Sequence, residues 1–134
     1  MKHFFLAATF VLSSSVGAAV RDDRSMELRV NYGERTTVMR LLREKERGVL
    51  RLLVNRSKHP DRKVDAEDFD YVFAKAVKIA DKSTAVNDCG RASTTLNLVE
   101  KGKRRTTRAC LRANTESSAA TRQLIDLIAT YMRG

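Results

Sequence analysis

Residues 92–112, ASTTLNLVEKGKRRTTRACLR, decide the fold, because apolar and polar side chains alternate on both sides of one glycine. A period of two is typical of a β-strand with one buried face. The tetrapeptide at 100–103, EKGK, suits a tight turn, since Gly102 tolerates a positive φ. We therefore predict a hairpin of two antiparallel strands over residues 92–99 and 103–112.

The same alternation assigns the side chains of this hairpin to two faces of a sheet. The apolar set is predicted to face the core and comprises Leu96, Leu98, Ala109 and Leu111. The opposite set is polar and basic and comprises Arg104, Thr106, Arg108, Cys110 and Arg112. One face of the sheet is therefore expected to carry guanidinium groups.

Three further strands are predicted toward the N-terminus. Residues 26–32 alternate without a fault, residues 36–43 form a second apolar run, and residues 49–55 form a third. The charged segment between the last two ends in Gly48 and suits a hairpin loop. A helix over residues 36–54 is the competing interpretation, because Leu, Arg, Glu and Lys are good helix formers. Gly48 and the β-branched residues at both ends favour the hairpin.

Two amphipathic helices complete the pattern. The first begins after Asp65, which is a good N-cap, and the second spans residues 116–133 after a cap at Asn114 or Thr115. Helical spacing gives the first an apolar stripe of Phe69, Val72, Phe73, Ala76, Val77 and Ala80. The stripe of the second comprises Ala120, Leu124, Leu127, Ile128 and Tyr131.

The predicted element order is β-β-β-α-β-β-α. Short links within each group of strands predict antiparallel pairing. The expected fold class is α+β, a two-layer sandwich in which a five-stranded antiparallel sheet carries two helices on one face. The polar segment 56–64, which holds the single proline, is predicted to be a loop. The pattern leaves the strand order open.

The first 19 residues have the pattern of a cleavable signal peptide. Lys2 supplies the positive charge, and residues 4–12 form the apolar region. Small residues at Gly17 and Ala19 fit a cleavage site, and a cut one residue earlier fits equally well. The apolar stretch, about 14 residues, is shorter than the ~20 that a membrane span needs. We expect an exported product, periplasmic or extracellular, with a single basic domain over residues 20–134.

Basic charge dominates the expected mature chain, which carries 25 Lys and Arg residues against 16 Asp and Glu residues, a formal net charge of +9. Segments 20–64 and 89–115, which hold the predicted strands, each sum to +6. Segment 65–88 sums to −3 and segment 116–134 to zero. The positive charge therefore belongs to the strands and their loops, and a field of this sign favours acidic partners.

Cys89 and Cys110 are the two cysteines of the chain, and in an exported protein they predict one disulfide. The hairpin would place Cys110 opposite Ser93, so a disulfide requires the chain before Ser93 to fold back, which Gly90 permits. Two buried free thiols are the alternative. The absence of a C-x-x-C motif disfavours a redox role. No metal is expected, because His59 alone is left to join two distant cysteines.

The candidate anion-binding residues are Arg40, Arg51, Arg104, Arg105, Arg108 and Arg112. Guanidinium groups in a planar array suit bidentate contact with phosphate or carboxylate. A merely solvated sheet face is the competing interpretation. The same face would also carry apolar side chains, which indicates that it is partly covered or docks a partner. These are Val38, Leu42, Val49, Leu53 and Val99.

The leading hypothesis is therefore a non-enzymatic binding module for an acidic partner, namely an anionic envelope polymer, a lipid headgroup or an acidic protein. An inhibitor of a secreted enzyme, which would insert loop 44–48 or 100–103, is the second hypothesis. A small secreted hydrolase or nuclease that uses His59 is the third. The sequence contains no motif for nucleotide binding, zinc proteolysis or serine hydrolysis, so we predict no catalytic residue and no cofactor. Nucleic acid is disfavoured, because most aromatic residues follow the core stripes.

Overall fold

The computed structural model describes residues 23–44, 46–82 and 88–133. The predicted signal peptide lies outside the described residues. Within them, an antiparallel sheet and two helices form an α+β architecture, which confirms the predicted class. Residues 36–54, apart from Lys45, belong to two strands and the turn between them, so the competing helical interpretation of this segment is wrong.

The elements have the following bounds. The strands are β1 Ser25–Tyr32, β2 Arg35–Glu44, β3 Arg47–Val54, β4 Ser57–Lys58, β5 Arg62–Val64, β6 Ala92–Glu100 and β7 Lys103–Cys110. The helices are α1 Ala66–Lys82 and α2 Glu116–Arg133. Helix α1 follows β5, and helix α2 follows β7.

The strands lie in the order β4-β3-β2-β1-β6-β7, and β5 also pairs with β3. The first strand is therefore central, and it joins the β2–β3 hairpin to the β6–β7 hairpin. Its residue Leu28 pairs with Met39 on one side and with Leu96 on the other. This register aligns the apolar side chains of all the long strands on one face, because alternate residues of a strand point the same way.

The sheet has seven strands rather than the predicted five, because the segment expected to be a loop contains β4 and β5. The chain reverses at Asn55 and Arg56, which both have positive φ, 49° and 73°. Asn tolerates this left-handed region, as a tight hairpin turn requires. Strands of two and three residues are too short to show an apolar alternation, so periodicity cannot reveal them, although β5 ends in the buried Val64.

Both helices pack on the same face of the sheet, as predicted. The core lies between the two layers and includes the fully buried side chains Met26, Leu28, Leu41, Leu50, Phe69, Leu98, Leu124 and Ile128. The ring of Phe69 lies beneath Gly48, where a Cβ atom would come within 3.0 Å of the ring. Gly48 is therefore a packing position inside β3 rather than part of the predicted loop.

The two helices are antiparallel and cross the sheet from the β3 edge to the β7 edge. Phe69 places the start of α1 beneath β3, and an ion pair of 2.6 Å between Asp81 and Arg105 places its end beside β7. The hydroxyl of Tyr131, near the end of α2, donates to Asp68 near the start of α1. The opposite face of the sheet is consequently left without a second layer by the described elements.

The start of α2 agrees with the capping prediction. The hydroxyl oxygen of Thr115 accepts a hydrogen bond of 3.0 Å from the backbone N–H of Ser118, so Thr115 rather than Asn114 is the N-cap. Neither described helix is long and apolar enough to cross a membrane.

Candidate anion-binding face

The side chains that point away from the helices form what we call the open face. Strand register assigns to it Ser25, Glu27, Arg29, Asn31, Thr36, Val38, Arg40, Leu42, Glu44, Arg47, Val49, Arg51, Leu53, Lys58, Lys63, Ser93, Thr95, Asn97, Val99, Arg104, Thr106, Arg108 and Cys110. Eight of these residues are Arg or Lys, and two are acidic. The face is therefore strongly basic although no single segment of sequence contains it.

A polar and charged row crosses the middle of the open face. We call it the central row, and it consists of Thr106, Asn97, Glu27, Arg40 and Arg51, which are neighbours on successive strands. Arg40 lies directly opposite Arg51, and like charges in that position repel each other. The row therefore concentrates two guanidinium groups at its β2–β3 end.

Two carboxylates offset this repulsion. Arg40 donates through Nε to Glu27 at 2.9 Å, and a more distant contact of 3.6 Å joins Arg29 to the same carboxylate. Arg51 makes two hydrogen bonds, of 3.3 and 3.2 Å, to Asp61 in the loop between β4 and β5. The hydrogen bond from Arg51 holds the pKa of Asp61 below its ordinary value, and the same bond raises the pKa of Arg51.

Two rows with apolar residues flank the central row. The first, the Val38 row, consists of Arg108, Thr95, Arg29, Val38, Leu53 and Lys58. The second, the Leu42 row, consists of Arg104, Val99, Ser25, Leu42, Val49 and Lys63. Each row has a cation at both ends and aliphatic side chains between them. The open face thus alternates charge and hydrocarbon rather than spreading either evenly.

The aliphatic residues are more hidden than an uncovered sheet face would suggest. Val38 and Val49 are only 8% and 6% exposed, whereas Leu42 and Leu53 are half-buried. Neither of the two described helices packs on this face, so among the described residues only neighbouring side chains can shield them. Long Arg and Lys side chains commonly lay their methylene stems over apolar surface in this way.

A shallow depression lies on each side of the central row. The depression over the Leu42 row has a volume of about 360 Å³ and is bordered by Arg40, Arg51 and Arg104. The depression over the Val38 row has a volume of about 470 Å³ and is bordered by Arg29, Arg40 and Arg56. Arg40 borders both, so a ligand in either depression meets its guanidinium group. Both volumes fall within the range of small-molecule sites, roughly 300–1,000 Å³.

The β7 side of the face differs from the β3 side in its ion pairing. Within the described part of the chain, neither Arg104 nor Arg108 forms an ion pair with Asp or Glu. Both are exposed, and their guanidinium groups keep their hydrogen-bond donors for solvent or a ligand. An anion that binds here need not displace an internal partner.

The structure brings together four of the six arginines that the sequence singled out: Arg40, Arg51, Arg104 and Arg108. Arg105 lies on the helix side and pairs with Asp81. Arg112 follows the end of β7, and its guanidinium lies 4.7 Å from the ring centre of Tyr32. The anion-binding role of all six stays a prediction.

Sequence reasoning did not include Lys58 and Lys63 in the site. They reach the open face only because β4 and β5 pair with the outer side of β3. Arg29 also lies on this face and borders one depression. The turn at Asn55 was the one signal that could have indicated the additional strands.

The predicted disulfide between Cys89 and Cys110 is confirmed. Cys110 pairs with Ser93 in the sheet, and the chain folds back before β6 at Gly90, which has a φ of 63°. The Cα atoms of the two cysteines are 4.8 Å apart. The bridge therefore fastens the end of β7, at the rim of the open face, to the segment that enters β6.

The residues of the other two hypotheses lie elsewhere. His59 is exposed in the chain after β4, and its backbone N–H donates to the carbonyl of Leu52. In the turn at 100–103, the carboxylate of Asp23 accepts hydrogen bonds from the N–H groups of Lys101 and Gly102. The other candidate loop, 44–48, includes Lys45, which lies outside the described residues. Among the described residues, no group of three or more His, Cys, Asp or Glu could hold a metal ion.

Comparison of the chain with protein-family models, with curated proteins and with solved structures finds no match. Function must therefore be argued from the open face itself.

Proposed function

We propose that this protein is an exported, non-enzymatic binding module that holds an anionic partner against its open face. The observation that carries the proposal is the excess of positive charge on that face, above all at Arg104 and Arg108, which form no ion pair with Asp or Glu among the described residues. The neighbouring pair of Arg40 and Arg51, at the β2–β3 end of the central row, adds further hydrogen-bond donors. An anion placed between them would relieve repulsion that the protein only partly offsets by itself.

The energetics favour binding by several weak contacts rather than by one strong one. Exposed guanidinium groups lose little hydration when they meet an anion, so the cost of desolvation is small. Each contact is worth on the order of 1 kcal/mol at moderate ionic strength, and contacts on a rigid sheet add together. Because these interactions are screened, affinity should fall steeply as salt rises.

Export is supported by two features. The first 19 residues have the composition of a signal peptide. The disulfide between Cys89 and Cys110 is compatible with an oxidising compartment. In such a compartment the partners that present negative charge are envelope polymers, lipid headgroups and acidic proteins.

The proposal is tested by heparin chromatography of matched variants. R104Q/R108Q removes two charges from the open face, and K75Q/K78Q removes two charges from exposed positions of α1. We expect the wild type to be retained and R104Q/R108Q to elute at clearly lower salt, with a slope of log affinity against log salt reduced by about two. K75Q/K78Q should elute close to the wild type. Equal shifts for both variants, or no retention of the wild type, would contradict the proposal.

A further inference from the structure

We propose that the anionic partner is the phosphate-bearing headgroup of a lipid at a membrane surface, an inference that rests on the proposed function of the open face. The phosphate would lie in the depression bordered by Arg40, Arg51 and Arg104. The aliphatic residues of the two flanking rows would contact the glycerol and the first carbons of the acyl chains. The structural reason is that cations and aliphatic side chains stand beside one another in both flanking rows.

Charge alone does not distinguish a lipid from a soluble polyanion, but the aliphatic rows do. A hydrated polymer gains little from contact with Val38, Leu53 and Leu42, because its own surface is polar. A lipid offers hydrocarbon directly beneath its phosphate, so the same residues gain from being removed from water. Leu42 and Leu53 are the half-buried members of these rows and have exposed surface left to lose.

The geometry of the donors fits a phosphate. Arg40, Arg51 and Arg104 come from three different strands and border one depression, together with Glu27, the ion-pair partner of Arg40, so the cations there outnumber the acid by three to one. A tetrahedral phosphate presents oxygens in several directions, and guanidinium groups bind such oxygens in pairs. Asn97 and Ser25 also border the depression and can donate hydrogen bonds to further oxygens.

Other anionic partners fit the face less well. Aromatic stacking is the usual support for bases in single-stranded nucleic acid. The aromatic residues Tyr32, Phe69, Tyr71, Phe73 and Tyr131 are all absent from the set of residues that forms the open face. A second copy of this chain is disfavoured because two faces that each carry eight cations and two acids would repel one another.

The experiment measures partition into vesicles of phosphatidylcholine with and without phosphatidylglycerol, beside heparin chromatography of the same samples. The wild type should bind the anionic vesicles and not the neutral ones. R104Q/R108Q should bind the anionic vesicles more weakly, by roughly fivefold per charge removed, and K75Q/K78Q should bind them like the wild type.

The decisive variant is L53K, which removes hydrocarbon from the Val38 row while adding positive charge. A lipid partner predicts that L53K binds heparin at least as well as the wild type. It also predicts that L53K binds anionic vesicles about three- to tenfold more weakly at about 0.5 M NaCl, where the screening length is only ~4 Å. L53T, which retains a good strand former, replaces L53K if thermal unfolding shows that the lysine variant does not fold. L53T should keep the heparin affinity of the wild type and lose vesicle affinity.

The outcomes separate the two proposals. Heparin retention with no preference for anionic vesicles overturns the lipid inference and leaves the proposed function intact. The same holds if L53K binds vesicles and heparin more tightly to the same degree, since charge alone then explains both. Failure to bind either probe overturns both proposals.

Discussion

The two faces of this sheet consist of the same strands, but they differ in how deeply their side chains are buried and in how their charges are paired. On the helix side, Leu41 is fully buried, and Arg105 has its own acceptor in Asp81. Their immediate neighbours Leu42 and Arg104 point the other way, where the leucine is half-buried and the arginine has no acidic partner among the described residues. A covering layer supplies specific partners for each side chain, whereas an uncovered face leaves them available.

The first way to sharpen this comparison is the pair L41A and L42A, which makes the same chemical change on opposite faces. Leu41 is 0% exposed, so its truncation should leave a cavity and cost about 3–4 kcal/mol of unfolding free energy. Leu42 is half-buried and lies on the face opposite the two described helices, so its truncation should cost about 1 kcal/mol or less. Chemical denaturation of both variants measures the difference. Equal losses would mean that the open face is packed like a core.

Removal of the disulfide should have the next largest effect. C89A/C110A opens a loop between residues separated by 21 positions, which should lower the unfolding free energy by about 3 kcal/mol through loop-closure entropy. The bridge lies at the rim of the open face, on the side of β7 opposite the two described helices. Denaturation of the variant and of reduced wild type should therefore give similar losses. A stable reduced protein would show that α2 alone secures this edge.

Alternation identified the five long strands, because burial on one face of a sheet imposes a period of two on the sequence. It also placed Arg40, Arg51, Arg104 and Arg108 on a common face, since register preserves that period across strands. Alternation did not identify strands β4 and β5, because they are only two and three residues long and lie at the edge of the sheet. Gly48 was assigned to a loop on composition, whereas its reason is the ring of Phe69, which is distant in sequence.

The partners of the arginines could not be predicted in the same way. Glu27 meets Arg40 and Asp81 meets Arg105 only because of the strand order and the path of α1. Single-sequence patterns give the face of a residue but not its neighbours on other strands. The fold is therefore needed to tell which arginines are neutralised by an internal acid and which remain available for a ligand.

Substitution of the adjacent residues Arg104 and Arg105 tests, through binding, the distinction between an arginine available for a ligand and one paired with an internal acid. R104Q should lower heparin affinity by roughly fivefold, because it removes a cation that has no acidic partner among the described residues of the open face. R105Q removes the same charge from the helix side and should change the affinity by less than about twofold. Elution salt from a heparin column measures both, and net charge is identical in the two variants. If R105Q has the larger effect, the anion lies along the helix side of β7 instead.

Asp61 should weaken anion binding slightly, because its carboxylate accepts two hydrogen bonds from Arg51. Its pKa is lowered by the hydrogen bond from Arg51, so the carboxylate stabilises the folded protein above its ordinary pKa of about 3.9. That contribution disappears as pH falls through the lower, folded-state pKa. Acid unfolding should consequently be less steep in D61N than in the wild type, as a pH series followed by circular dichroism will show.

The same variant should improve binding at neutral pH. D61N frees the two donors of Arg51 that Asp61 now accepts, so heparin affinity should rise about two- to fivefold. Because protonation of Asp61 has the same effect as the substitution, the advantage of D61N over the wild type should vanish at a pH below the lowered pKa of this carboxyl. An advantage that persists unchanged at that pH would mean that the added affinity does not come from removing the carboxylate of Asp61. The internal pair would then be irrelevant to what the open face can hold.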